Sequence, residues 1–275
     1  MPGTRNGPAP AAKRGPRAER DDSRRTLSQN FLRGRGAVEE FLSMVDLEPD
    51  GLVLEVGAGD GAITEAVAPR CREVFAYEID PHHIPRLHER VRHLDNVHVV
   101  PGDFLAARPP RQRFEVVGNV PFSVTSQVVN WCMQAHTLAS ATIITQLEYA
   151  KKRTGGYGRW SLLTVESWPW FNWELRGRIA RGQFRPVPGV DAGVLRLERR
   201  DLPLVRSARA SEYRRMVEIG FGGVGGSLYR SLVRRYPPGK VDGAFRTVAL
   251  DRDVVVAYVS PEQWLRIFGA LTPGC

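Results

Sequence analysis

No stretch of this sequence is apolar for long enough to span a bilayer. Its first residues also lack the apolar core of a secretory leader. Both absences argue against a membrane role and point to a cytoplasmic protein. Cysteine is scarce as well: three residues, Cys71, Cys132 and Cys275, stand far apart with no C-x-x-C pair. A disulfide framework or a cysteine-ligated zinc site is therefore not expected, and a reducing compartment fits. Acidic residues are outnumbered, 30 against 39 basic, so the formal net charge is +9. A surplus of that sign suits a polyanionic partner, nucleic acid before an anionic membrane surface.

What remains is ordinary for a globular chain: 275 residues, 42% hydrophobic and 25% charged. Residues 1–26, rich in Pro, Gly, Ala and Arg, read as a disordered basic tail able to add weak phosphate contacts. From residue 37, Val38, Phe41, Leu42 and Val45 fall at helical spacing, ending near Pro49-Asp50-Gly51. Short apolar strands follow at 52–56, 74–77, 97–100, 114–117 and 142–145, separated by helical segments. Asp80-Pro81 is a candidate helix start. This alternation predicts an α/β fold, a parallel sheet with helices on both faces. The segments "WSLLTVESWPWFNWELRGRIA" and "DAGVLRLERR" read as strands closing the sheet antiparallel, with their Trp residues serving packing. After a polar linker near 200–210, residues 205–275 read as a small helical domain. Its last helix starts at Ser260-Pro261-Glu262-Gln263, a capping box.

Three strand ends carry cofactor chemistry. "VLEVGAGDGAIT" runs a strand into a turn where Gly57, Gly59 and Gly61 let the backbone approach a ligand. A nicotinamide enzyme stays open on that turn alone. Glu55 beside it suits a ligand with an ammonium end, and S-adenosylmethionine is such a ligand. Glu78 ends the second strand about 20 residues on, the offset of a ribose-binding acid. Asp103 ends the third, placed to accept from an adenine amine, with Ile79 and Phe104 as candidates to sandwich the ring.

The fourth strand runs into Asn119-Val120-Pro121-Phe122. An exocyclic amine on a base is a poor nucleophile, because its lone pair is delocalised into the ring. Acceptors aimed at its two protons free that pair. The Asn119 amide oxygen and a backbone carbonyl fixed by Pro121 supply them. Phe122 offers a face for an extruded base. The histidines at 88, 93 and 98 recur at a spacing that does not stack ligands on one helix face, so no metal site is expected.

In order along the chain, "LSQNFL", "EVGAGDG", "YEID", "GDF", "GNVPF" and "FRPVPGVDAGVL" resemble the Erm-type (erythromycin ribosome methylation) rRNA adenine-N6 methyltransferases. "KKRTGGYGRWSLLTVESWPWF" resembles their actinomycete branch. The resemblance covers residues 24–200 strongly. It implies a Rossmann-like class I S-adenosylmethionine-dependent methyltransferase domain at 27–200, with 205–275 assisting rRNA binding. It further implies that Asn30, Leu32 and Gly57 meet the methionine and ribose parts of the cofactor. Glu78 then takes the ribose hydroxyls and Asp103 the adenine amine. Asn119 and the Val120 carbonyl grip the target amine, while Phe122 stacks on the base and Phe184 covers its other face.

The expected activity is methylation of 23S rRNA, naked or in a large-subunit precursor, by a monomer, giving resistance to macrolide, lincosamide and streptogramin B drugs. A 16S rRNA dimethyltransferase and an inactive RNA-binding descendant remain alternatives. Two positions depart from the family. Phe122 stands where relatives usually carry Tyr, and "GFGGVGG" replaces a more basic stretch, throwing phosphate binding onto Lys151, Lys152, Arg153 and Arg185.

Overall fold

In the computed structural model, residues 30–223 and 226–272 are described. The expected tail at 1–26 lies outside them. The chain opens with a short strand β1 (Phe31–Leu32) and helix α1 (Gly34–Leu42), which buries Ala37, Val38, Phe41 and Leu42. Then β2 (Leu52–Val56), α2 (Ala62–Val67), β3 (Glu73–Glu78), α3 (Ile84–Val91), β4 (Val97–Pro101), β5 (Phe114–Asn119), α4 (Thr125–Gln134) and β6 (Leu138–Gln146) follow, alternating except between β4 and β5, which a 3-10 turn (Phe104–Ala106) joins. Asp80 does not start a helix. Its side chain accepts from the His82 amide and shapes a turn, and α3 begins four residues later.

The rest of the sheet follows α5 (Leu147–Arg153) and α6 (Leu162–Ser167). It comprises β7 (Phe171–Ile179) and β9 (Ala192–Arg199), with the two-residue β8 (Phe184–Arg185) between them in sequence. Residues 162–167 are helical where β-branched and aromatic residues predicted a strand. The Ser161 hydroxyl accepts from the Thr164 amide and caps that turn. The seven strands lie in the order β4-β3-β2-β5-β6-β9-β7. β2 to β6 pair in parallel, and β9 is antiparallel to both of its neighbours.

Alternation along the strands fills both faces. Leu52, Leu54 and Val56 of β2 join Val128, Val129 and Cys132 of α4 on one side. Val53 joins Phe41 of α1 and Val67 of α2 on the other. A third apolar cluster belongs to the C-terminal helices α7 (Ala210–Phe221), α8 (Leu228–Leu232), α9 (Pro238–Thr247) and α10 (Pro261–Leu271). It takes in Val165 of α6, and the Tyr213 hydroxyl donates to the Val165 carbonyl at 3.0 Å. Among the described residues no helix is long and apolar enough to cross a membrane.

The parallel order has one reversal point. From β2 the chain builds outward to β3 and β4, then returns to lay β5 on the other side of β2. At such a point the loops leaving two adjacent strands diverge and leave a crevice at their carboxyl ends. Here those loops are the glycine-rich turn and the Asn119 segment.

Candidate active site

The two loops meet directly: a Cβ built on Gly57 would lie 3.9 Å from the Asn119 carbonyl oxygen. Gly118 makes the meeting possible. Any side chain there would drive a carbon to 2.5 Å from the Val56 carbonyl oxygen, so β5 closes on β2 only with glycine at that position.

Glu78 staples the turn. Its two oxygens accept from the Gly59 amide at 2.6 Å and the Asp80 amide at 2.7 Å, and the residue is 2% exposed. Gly59 has φ +58°, and the Phe31 ring lies over it so closely that a Cβ would sit 2.6 Å from the ring edge. Phe31 also packs on His83, ring centroids 4.9 Å apart. His83 is itself buried, with Nδ1 2.5 Å from Asp60 of the glycine-rich turn. The residues Asp60, His83 and Phe31 were not singled out from sequence, because 23 residues separate the acid from the histidine and no local pattern joins them.

Beneath the turn lies Glu55, 1% exposed. The Thr64 hydroxyl donates to one of its oxygens at 2.5 Å, while the other oxygen is buried with no partner among the described residues. Burial, opposed by the Thr64 bond and reinforced by the Glu78 charge, pushes its pKa up to about 7.

A cavity of about 740 Å³ opens from the turn between α1 and α2, walled in part by Phe31, Leu32, Gly57, Asp60, Ile63 and Asn119. Of the residues expected at the cofactor, it joins Leu32, Gly57 and Asn119. Asn30 is there by its backbone, since its carbonyl accepts from the Asn119 side-chain N–H₂. Glu78, Ile79 and Asp103 stand outside the cavity walls, at or just beyond the ends of β3 and β4. Ile79 is 52% exposed, and exposed Asp103 spends one oxygen on the Leu105 amide at 2.9 Å.

Two expected contacts fail. Phe104 is buried, its ring 4.4 Å from Trp131 and 5.5 Å from Tyr77, so it packs in the core and presents no face to an adenine. Phe184 is 1% exposed in the cluster shared by α1 and α2, on a β8 strand paired with β1. Its ring supports the wall and is not presented to a base. Pro121 and Phe122, by contrast, are half-buried, and Phe122 packs against that same cluster. His82 pairs with Asp80, His83 with Asp60 and, at 3.9 Å, with Asp80, and His98 with Glu73.

The residues present fit S-adenosylmethionine. The glycine turn leaves room that a Cβ would fill, an orphaned carboxylate oxygen lies beneath it, and acids stand at three successive strand ends. The family model described as ribosomal RNA adenine dimethylase matches residues 20–272. An rRNA adenine N-6-methyltransferase of Streptomyces fradiae is 56% identical over 91% of this chain and 79% of its own length. The mycinamicin-resistance protein MyrB of Micromonospora griseorubida is 34% identical over 89% of this chain and 78% of its own. The crystal structure of the 23S rRNA methyltransferase ErmE superposes with a TM-score of 0.85 at 47% identity, covering 88% of this chain and 99% of that one. The chain belongs to the ribosomal RNA adenine dimethylase family, as an S-adenosylmethionine-dependent rRNA adenine-N6 methyltransferase.

Proposed function

We propose that this enzyme methylates N6 of one adenine in 23S rRNA and thereby confers resistance to macrolide, lincosamide and streptogramin B antibiotics. The observation that carries the mechanism is the Asn119 amide at the reversal point. Its N–H₂ is already committed to the Asn30 carbonyl, so the oxygen is the end left to accept from an amine. Similarity to ErmE and to the mycinamicin-resistance protein supports the 23S and resistance parts of the reading.

Bound over the glycine turn, S-adenosylmethionine supplies an electrophilic methyl group on a positively charged sulfur. Gly57 would give it backbone to lie on, Asn30 and Leu32 would flank it, Glu78 would meet ribose hydroxyls with the lone pairs that the turn leaves on its oxygens, and Asp103 and Ile79 would hold the adenine. The Asn119 oxygen and the Val120 carbonyl accept hydrogen bonds from the two N–H groups of the target amine. That rotates the nitrogen lone pair out of the ring and toward the methyl carbon. The bound donor would supply its methyl carbon to that nitrogen and take the electron pair of the broken carbon–sulfur bond. The extra proton departs afterwards, so no side-chain base is needed. Pro121 fixes the carbonyl, and Phe122 stacks on the extruded base, worth about 1–3 kcal/mol.

The test is methyl transfer from labelled cofactor to purified, protein-free 23S and 16S rRNA in parallel, with the modified base mapped by primer extension. Label at a single adenine of 23S rRNA is the expected result. Label confined to 16S rRNA overturns the substrate assignment and moves the enzyme to small-subunit maturation.

A further inference from the structure

A second concavity lies where β6 ends. It is an open groove of about 520 Å³ whose walls include Leu147, Tyr157, Arg178, Arg181, Val190 and Asp191. Its place is set by the sheet. β6 runs beside β5, with Ile144 paired to Asn119, and Leu147 starts the helix that leaves β6 two residues after Thr145. The groove therefore opens on the same edge as the Asn119 segment.

Tyr157 is the feature that needs explaining. It sits in the loop after α5, a loop held by bonds from the Gly156 amide to the Lys151 carbonyl (2.9 Å) and from the Gly158 amide to the Gly155 carbonyl (2.8 Å). Despite this fixed backbone its side chain is 53% exposed, and the Lys151 ammonium lies 5.5 Å from the ring centroid. A cation on a half-exposed ring beside a groove pairs a stacking surface with a phosphate partner. The motif repeats next door. The Trp160 amide donates to the Ala257 carbonyl at 2.7 Å, which brings Tyr258 alongside, 51% exposed, with the Arg159 guanidinium 5.5 Å from its ring. Arg178 and Arg181 in the wall are offset by two carboxylates, Glu148 and Asp191, the latter bonded to Arg178 at 2.5 Å, so the cations on the rings, Lys151 and Arg159, supply the surplus positive charge.

We infer that this groove is a subsite for an unpaired nucleotide flanking the target adenine, its base stacked on Tyr157 and its phosphate met by the surrounding cations. The inference rests on the reading of the enzyme as an RNA adenine methyltransferase and names how it holds its substrate beyond the reacting base. Tyr258 extends the platform to the next nucleotide, which assigns the C-terminal helices a share in substrate binding.

The experiment uses the full chain and an RNA hairpin carrying the mapped adenine, with 2-aminopurine placed at each flanking position in turn. Wild-type protein is expected to perturb the fluorescence at one flanking position. Tyr157→Ala should abolish that change and raise KM for the RNA about ten-fold or more. Its kcat at saturating RNA should stay within about two-fold, and calorimetric binding of S-adenosylmethionine should be unchanged. Tyr157→Phe should behave as wild type, because the ring face is what stacks. An Ala variant with normal KM and normal fluorescence overturns the subsite, and so does a Phe variant as defective as Ala. If wild-type protein methylates no RNA, it is the functional reading that fails. The subsite is then decided with an unpaired RNA oligonucleotide carrying 2-aminopurine, whose binding and fluorescence change Tyr157→Ala is again expected to lose.

Discussion

At the residue scale, the site depends on side chains whose polar ends are directed by backbone. Asn119 is the clearest case. An amide has a donor end and an acceptor end of nearly the same shape, and only a fixed partner decides which one faces the substrate. The Asn30 carbonyl takes the donor end. Asn119→Ala is accordingly expected to lower kcat by about two to three orders of magnitude, while calorimetry still shows S-adenosylmethionine binding. Glu55 gives a prediction of the opposite kind. Its folded pKa, about 7, lies above the ordinary carboxylate value of 4.5. The native state therefore retains a proton that the unfolded chain gives up. Its contribution to stability is complete below pH ~4.5 and is lost as pH rises through ~7, the whole window amounting to roughly 3 kcal/mol. Glu55→Gln keeps an acceptor for Thr64 but cannot ionise. Thermal unfolding should find this variant more stable than wild type at pH 8, with the two converging near pH 5. Equal Tm differences at both pH values would show that Glu55 ionises normally.

At the element scale, the site is a product of strand order. β2 and β5 are neighbours in space but far apart in sequence, and their loops can touch only because Gly118 admits the Val56 carbonyl. Gly118→Ala puts a carbon against the Val56 backbone, where no flexible side chain can yield. It should destabilise the fold by about 3 kcal/mol, or roughly 5–10 °C in Tm for a protein of this size, measured by circular dichroism. The five parallel strands were readable to within a few residues, because short apolar runs ended by Gly, Asp or Asn leave few alternatives. The capping box at Ser260 and Gln263 was equally readable, since both halves of its bonding pattern lie within four residues. Helix α6 was not. Its Val, Thr and Trp neighbourhood favours a strand, and the helix exists because α6 packs on the C-terminal helices. Helix α9 was missed for a related reason: two glycines dilute it, although Val241, Ala244 and Phe245 form a short buried stripe.

At the scale of the whole molecule, the C-terminal helices are packed onto the sheet-bearing part. Val165 is fully buried in their cluster, and Trp160 and Trp170 pack against it. Trp168 lies 5.7 Å from Trp160, and Trp170 lies 6.1 Å from Tyr213, which makes the tryptophans of "WSLLTVESWPWF" the joint. A chain ending at residue 203 would leave that joint exposed, and apolar area of this kind drives association. It is expected to elute from size exclusion as aggregate and to lose cooperative thermal unfolding. A soluble, cooperatively folding fragment would show that the joint is dispensable.

The sequence by itself determined the parallel sheet, the glycine turn and the identity of the residues at four strand ends. These are encoded locally, by alternation, by turn chemistry and by spacing within a few tens of residues. It could not decide which of those side chains present a face. Phe104 and Phe184 stand in motifs that suggest ligand contact, yet both are covered, one by Trp131 and one by the α1 and α2 cluster. Nor could it join Asp60 to His83, Asn30 to Asn119, or the Tyr157 loop to the turn that carries Tyr258. Those pairings depend on where the sheet reverses and on how the C-terminal helices dock. Only burial and proximity in three dimensions fix them, because contacts between distant residues leave no period in the chain.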